Sequence, residues 1–335
     1  MNMISLYKLN SGYTSRVYNS GRWIDGKLTR QLEEKLKEYL HVPYIVLTNS
    51  GTSALLAAYW VLKNEYRDLT VDPYTFPATY QPAKIFNYKI RFRRMIPGRN
   101  NKQTIRPAAK SLTVITHLYG QPSNYLGLLP KNGFIEDACQ AFGAKFKNRF
   151  AGTIGKIGCF SFYPTKTLHT CGHAGAVVTR EEKYYRQMKI FVQSGRENGI
   201  MTDSVALNLR TDEIKAEYIL KELRSYDKRI AVQREIAAEY KSVIPDFQPF
   251  LEESTGNFHI YSSFCLLVKH RNKFREHMSK YGIGTLVYYN DDILPENQRH
   301  IYRDITSSIV SIPCRYNLTK PEVNKVKKAL QRWYV

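Results

Sequence analysis

A single lysine, Lys166, stands in a polar turn directly after the short apolar run Cys159-Phe160-Ser161-Phe162-Tyr163, and an earlier apolar run ends in the acidic pair Glu136-Asp137. Two sequential strands that deliver an acid and an amine to one sheet edge make a site. A lysine fixed at a strand end beside aromatic residues loses its proton cheaply, because desolvation disfavours the ammonium form, and the free amine attacks carbonyl carbon. That is Schiff-base chemistry. A buried aspartate suits the other half of such a site, since a carboxylate beside a pyridine nitrogen keeps the ring protonated and makes it an electron sink. Read alone, a lysine after a strand in a chain with 50 basic residues is more often a solvated loop residue, so the flanking pattern has to decide.

The elements that position these groups are legible around them. Leu32, Leu36 and Leu40 recur at helical spacing, which predicts an amphipathic helix over 29–40 with Thr29 as its cap. Tyr-Ile-Val-Leu-Thr (44–48) reads as a strand, followed by a small-residue turn and a helix beginning near Thr52 and Ser53. The free N–H groups and partial positive charge at such a helix start form a phosphate cradle. Further on, 181–192 and 230–243 read as helices. A smaller unit alternates a strand (260–268), a helix (272–281), a strand (285–289) and a last strand (308–312), and Thr319 with Glu322 forms a capping box opening the final helix. The expected division is a large domain over 1–228 and a small one over 229–335.

A chain of 335 residues buries a sizeable core, and 43% hydrophobic with 24% charged residues is ordinary globular composition. No apolar run approaches the roughly 20 residues that span a bilayer, and the N-terminal stretch lacks the apolar centre of a signal peptide, so the expected location is the cytoplasm, away from membranes. Five widely spread cysteines show no paired spacing for metal or redox work and read as reduced core or turn residues; no metal site is expected. The net charge of +21 is the oddest global feature, and Lys84 to Lys110 holds nine basic residues and no acidic one. Nucleic acid, an anionic membrane or a small polyanionic substrate are possible partners for such a surface. Basic residues are scattered elsewhere too, no nucleic-acid-binding module is recognisable, and a general compositional bias is the simplest account.

Ser161 to Thr179, SFYPTKTLHTCGHAGAVVT, resembles without a gap a segment of the DegT/DnrJ/EryC1 sugar aminotransferases, S-F-x-P-x-K-x-L followed by a Gly-rich turn and A-V-V-T. The resemblance implies that Lys166 forms the Schiff base with pyridoxal 5'-phosphate and that Ser161 belongs to the cofactor site. Glu136 to Ala144 resembles E-D-A-A-Q-A-x-G-A, which assigns Asp137 to the pyridine nitrogen and Gln140 to the neighbourhood of the phenolic oxygen. Asn49 to Leu55 looks like N-G-T-x-A-L and implies that Gly51, Thr52 and Ser53 hold the phosphate. Asp72 to Thr79 resembles P-x-x-T-F-x-A-T, with Phe76 against the pyridine ring. His117 falls in an H-x-Y-G-x-P turn, with a structural role the commoner one. Asn208 and Arg210 match G-x-N-x-R-x-x-E; in relatives the asparagine reaches the other subunit's cofactor, so Asn208 implies a homodimer. Trp23 matches the aromatic of S-G-x-W and is expected in the core.

Departures accompany the matches. The acidic residues of relatives are missing where this chain has Arg91-Phe-Arg-Arg94 and the residues after it. Lys215 and Glu217 replace Gln and Ala, Tyr288 stands where relatives have the histidine of H-Y-P, and His173 and Ala174 replace an acidic residue and a glycine. A positive φ at Ala174 costs about 1 kcal/mol or more.

The resemblance implies an α/β fold of the type I pyridoxal-phosphate-dependent transferases, with a mostly parallel central sheet flanked by helices and a smaller C-terminal α/β domain. It implies an aminotransferase that moves an amino group from an amino acid, glutamate being the expected donor, to a keto carbon of a nucleotide-linked sugar. A sugar dehydratase of the same family replaces the lysine by histidine, and Lys166 argues against it. A non-catalytic regulatory or polyanion-binding protein on the same fold is the alternative from another class; a purified protein that takes up no pyridoxal phosphate favours it. The particular sugar, the nucleotide and the carbon aminated are not written in the sequence.

Overall fold

The computed structural model describes residues 3–7, 15–95, 111–129, 133–244, 253 and 255–334. Residues 96–110 of the basic stretch, where the acidic residues of relatives are missing, fall outside the described residues. Seven strands form the central sheet: β1 (Tyr44–Thr48), β2 (Asp68–Val71), β3 (Lys89–Phe92), β4 (Ser111–Thr116), β5 (Phe134–Asp137), β6 (Ile157–Ser161) and β7 (Gly175–Thr179). Their order across the sheet is β1-β7-β6-β5-β4-β2-β3. Only β7 runs antiparallel to its neighbours, and the remaining pairings are parallel.

Both faces of this sheet are covered, which is why its strands read as continuous apolar runs. Ile45, Leu47, Phe160, Ala176 and Val178 face one core, together with Leu32, Leu36 and Leu40 of α1 (Lys27–Leu40) and Ala216 and Ile219 of α4 (Glu213–Leu223). The alternate residues Val46, Ile157, Cys159 and Val177 face the other core, against α2 (Gly51–Leu62) and α3 (Glu182–Val192). The three α1 leucines are 0–1% exposed, and each fully buried leucine contributes about 2 kcal/mol of apolar transfer.

The start of α1 differs from expectation. The helix begins at Lys27 with Gly26 at the cap position, because the carboxylate of Glu213 accepts the N–H groups of Gly26, Leu28 and Thr29 at 2.8–3.0 Å. The Thr29 hydroxyl also donates to Glu213, at 2.6 Å. An acid from α4 thus caps α1, a long-range solution that local sequence does not announce. Burial opposes its charge, yet the N–H and hydroxyl donors outweigh it and hold the Glu213 pKa below the ordinary range.

After α5 (Tyr226–Lys241) come β8 (Phe264–Leu267), α6 (Arg271–Lys280), α7 (Arg303–Thr306), β9 (Ile309–Ile312) and α8 (Lys320–Tyr334). One core joins Ile236 and Tyr240 of α5 with Phe264, Phe274, Val310, Val326 and Leu330, and Ile4 from the N-terminal stretch enters it through a bridge to Ile283. The capping box forms as expected: Glu322 accepts from the Thr319 N–H at 2.7 Å, and the Thr319 hydroxyl accepts from the Glu322 N–H at 3.4 Å. The strand expected over 285–289 does not form; Leu286 makes one bridge to Ser311, and the tyrosines after it turn toward the sheet's edge.

Candidate active site

β5 and β6 are parallel neighbours with Asp137 opposite Cys159, so the acid and the turn carrying Lys166 leave the sheet at the same edge. The turn closes tightly: the Lys166 N–H donates to the Tyr163 carbonyl at 2.9 Å, and Phe162 exchanges backbone bonds with Thr170 and Ala174. Among the described residues, Lys166 Nζ has neither a hydrogen-bond nor an ion-pair partner. Burial lowers the Lys166 pKa, with Cys139 and Asp137 opposing, so its amine is released more easily than a solvated lysine's. Burial pushes the adjacent Cys139 thiol up, which keeps it protonated and unreactive.

The neighbouring acids have opposite fates. Glu136 is fully buried; it accepts from the N–H groups of Gly152, Ile154 and Gly155 and bonds His117 Nε2 at 2.9 Å. His117 Nδ1 accepts from the Ser123 N–H, so the proton sits on Nε2 and the ring is a structural donor. Asp137, 5% exposed, accepts from the Thr79 hydroxyl at 2.6 Å and the Cys139 N–H at 3.1 Å, which fixes its carboxylate without burying it among further donors.

At the start of α2, Ser50 is the cap, and its hydroxyl accepts from the Ser53 N–H at 3.1 Å. The Ser53 hydroxyl is turned to Asn49 at 2.6 Å. The N–H groups of Gly51 and Thr52 have no acceptor among the described residues, so these two are free to hold an anion. A Cβ on Gly51 would stand 2.8 Å from both Cys139 Sγ and Ser161 Cβ, which shows how closely the helix start, β5 and β6 converge. Gly175 is equally pinned, its would-be Cβ 2.5 Å from the Ser50 carbonyl. The turn before it places its positive φ at Gly172, not Ala174. The anticipated strain at Ala174 is therefore not present, and the His173 ring lies 5.1 Å from that of Tyr163.

Gln140 Oε1 accepts from the Tyr119 N–H at 2.9 Å, and its Nε2 donates to the Tyr289 hydroxyl at 2.7 Å. Phe76 follows β2 and is 57% exposed. Thr79, Tyr119 and Tyr289 support the site and were not singled out from sequence. Thr79 is the last residue of the motif that carries Phe76, so that motif also marks it; Tyr289 sits far along the chain, and only the fold brings it to Gln140.

Asn208 is not part of this cluster. It is exposed, its Oδ1 accepts from Arg210 Nε at 3.1 Å, and Arg210 pairs with Asp25. The neighbouring Leu209 carbonyl accepts the Asn49 N–H at 2.7 Å. Trp23, expected in the core, is 57% exposed and stacks on Tyr18; its indole Nε1 donates to the Tyr18 carbonyl at 3.2 Å, and its backbone carbonyl accepts from the Glu213 N–H.

The model of the DegT/DnrJ/EryC1/StrS aminotransferase family matches residues 7–331. The chain belongs to this family. It is 26% identical over 297 residues to the UDP-2-acetamido-2-deoxy-3-oxo-D-glucuronate aminotransferase of Pseudomonas aeruginosa, covering 84% of this chain and 82% of that one. It is 28% identical to the GDP-perosamine synthase of Escherichia coli O157:H7, covering 93% and 92%. Among solved structures, AtS13 from Actinomadura melliaura superposes with a TM-score of 0.87 at 22% identity over 99% of both chains. The protein is thus an aminotransferase with the type I fold, from a family whose aminotransferases depend on pyridoxal 5'-phosphate.

Proposed function

We propose that this aminotransferase binds pyridoxal 5'-phosphate at the β5–β6 edge and transfers an amino group from an amino acid, glutamate being the expected donor, to a keto carbon of a nucleotide-linked sugar. The observation that carries the reading is the convergence of an unpartnered, desolvated Lys166, a two-donor Asp137 and the open N–H groups of Gly51 and Thr52. These groups fit the cofactor's carbonyl, ring nitrogen and phosphate in turn. The named activities of the similar proteins, on UDP- and GDP-linked sugars, support the substrate class, and a net charge of +21 favours an anionic one.

When bound, the cofactor supplies a carbon that accepts the amino group and a ring that withdraws electrons. Lys166 would hold it through Nζ and, once the donor's amine takes that place and frees Nζ, would move the proton to and from the substrate carbon as general base. Asp137 holds a proton on the ring nitrogen. Gly51 and Thr52 bind the phosphate with backbone N–H groups at a helix start, and Ser53 and Ser161 close its rim. Phe76 presents a ring to one face. Gln140 has one amide N–H left after its bond to Tyr289, available to the phenolic oxygen.

The division near α5 into a large and a small domain is part of this reading, as is a homodimer in which Asn208 serves the neighbour's phosphate. Exposed Trp23, Ile24, Ile200, Met201, Val205 and Leu207 support such an interface. The unpaired thiols support a reducing, cytoplasmic setting; among the described residues no helix is long and apolar enough to cross a membrane.

The test is a pair of half-reactions. Glutamate alone converts the cofactor's absorbance from the near-visible to the near-ultraviolet, and a keto-sugar nucleotide restores it. If the protein takes up pyridoxal phosphate yet no keto-sugar nucleotide from a panel restores the absorbance, the substrate class is wrong; if it takes up none, a non-catalytic role replaces it.

A further inference from the structure

Between the Lys166 turn and the segment after β9 lies a cavity of about 60 Å3, several times the roughly 10–15 Å3 that one water needs. Lys166, Thr167 and His169 line it from one side; Arg315, Tyr316 and Tyr7 line it from the other. Two of these groups have no role in the account so far.

His169 is only 8% exposed, and neither ring nitrogen makes a well-aligned hydrogen bond among the described residues, the backbone of Lys166 and Thr167 being its nearest polar neighbours. Burial lowers its pKa, with Glu222 opposing, so the ring is a neutral imidazole with one N–H to offer. A buried polar group without a partner is costly, and a ligand or water in the cavity removes that cost.

Arg315 is held in place by two neutral acceptors and keeps one long ion pair, to Glu322. Its Nε donates to the Ser5 carbonyl at 3.1 Å and one terminal nitrogen donates to Asn317 at 2.6 Å. The nearest carboxylate, Glu322, stands 4.0 Å from the other terminal nitrogen, beyond hydrogen-bond range. Burial lowers the Arg315 pKa, with Glu322 opposing. A fixed, partly desolvated guanidinium with an open terminal nitrogen is matched by a planar two-oxygen anion.

We propose that this cavity seats the carboxylate of the amino-acid donor, on Arg315 as the cation and His169 as a neutral donor, and so orients the donor's amine toward Lys166. This rests on the aminotransferase reading above. An α-amino acid carries its amine and carboxylate on one carbon, so a carboxylate anchor in the cavity that Lys166 lines holds the amine at the reacting end. The space admits a carboxylate with its adjoining carbon.

Two measurements test it. In the donor half-reaction, Arg315→Gln raises the half-saturating glutamate concentration about 10- to 100-fold, as expected for losing a hydrogen bond between charged groups, while the sugar half-reaction keeps its concentration dependence. Arg315→Lys, which keeps the charge and loses the fork, recovers part of the loss. Calorimetry with glutarate, a dicarboxylate that cannot donate an amine, then reads the site without turnover: it binds the wild-type holoenzyme and binds Arg315→Gln at least 10-fold more weakly. Equal glutarate affinity in the two proteins overturns the proposal and leaves the aminotransferase reading intact. An equal loss in both half-reactions overturns it too, because Arg315 then supports the whole site. Arg315-dependent glutarate binding in a protein with no amino transfer sustains the carboxylate site while the reading of the reaction falls.

Discussion

At the ends of β5 and β6 the groups that position Lys166 are held from within the chain, whereas along 196–208 the side chains face outward. Asp137 has Thr79 and Cys139, Gln140 has Tyr119 and Tyr289, and Gly51 is wedged against Cys139 and Ser161. Ile200 is 73% exposed, Val205 65% and Met201 63%, and the Asn208 side chain bonds its own neighbour Arg210. The first region is a preorganised half-site. The second is an exposed apolar surface of the kind the proposed homodimer would cover, and the contrast separates what one chain holds by itself from what that proposal would add.

Breaking the first region has the largest effect. Asp137→Ala removes the charge aimed at the ring nitrogen and is expected to lower turnover by about 10²- to 10³-fold, the scale for losing one preorganised electrostatic group. Cofactor uptake, which depends on Lys166 and the α2 start, persists. Steady-state kinetics together with absorbance titration separate the two effects, and loss of uptake equal to loss of turnover would assign Asp137 a binding role instead.

The second region is sharpened by subunit mixing. Asn208→Ala is expected to cost about 1.5–3 kcal/mol of cofactor affinity, the scale for one hydrogen bond to a charged partner. Mixed with Lys166→Ala subunits, the site that keeps Lys166 receives an intact Asn208 from its neighbour and regains full affinity. If affinity there stays as weak as in the Asn208→Ala homodimer, Asn208 works within its own chain, a route that its proximity to Asn49 through Leu209 leaves open.

The smallest effect is a stability difference with a defined sign. Burial depresses the Lys166 pKa from 10.5, so the folded protein without cofactor binds that proton less tightly than the unfolded chain does. Stability from this group therefore rises with pH between the depressed value and 10.5 and is lowest below that window. Lys166→Met, which removes the titrating group, is expected to be more stable than the wild type at neutral pH, with the gap narrowing as pH climbs. Urea unfolding of both proteins at several pH values measures it; a gap that widens with pH contradicts the desolvated lysine.

The sequence was most legible where chemistry is local. Lys166, Asp137 and the α2 start each sit at the end of a strand with its turn residues beside it, so one short segment announces both the element and the group. Burial on both faces makes the central strands continuous apolar runs and so readable, and Leu32, Leu36 and Leu40 make α1 so. Long-range contacts overrode local signals elsewhere. Glu213 caps α1 from another helix, which moved the start from Thr29 to Lys27. Trp23 is large and apolar, yet it lies exposed, its ring stacked on Tyr18 and its Nε1 donating to the Tyr18 carbonyl. The expected strand at 285–289 gives way because Tyr74 and Tyr119 donate their hydroxyls to the Tyr288 carbonyl, and no alternation in the sequence encodes that pull. His169 and Arg315 carried no motif, and only the cavity between them makes them conspicuous.

The central claim is that Lys166 carries the cofactor. Incubating the protein with pyridoxal 5'-phosphate, reducing with borohydride and mapping the peptides by mass spectrometry tests it most directly. The account predicts one stable phosphopyridoxyl group per chain, on Lys166, with a Lys166→Ala protein unlabelled under the same conditions. Stoichiometric labelling of a different lysine, or of the Lys166→Ala protein, would contradict it.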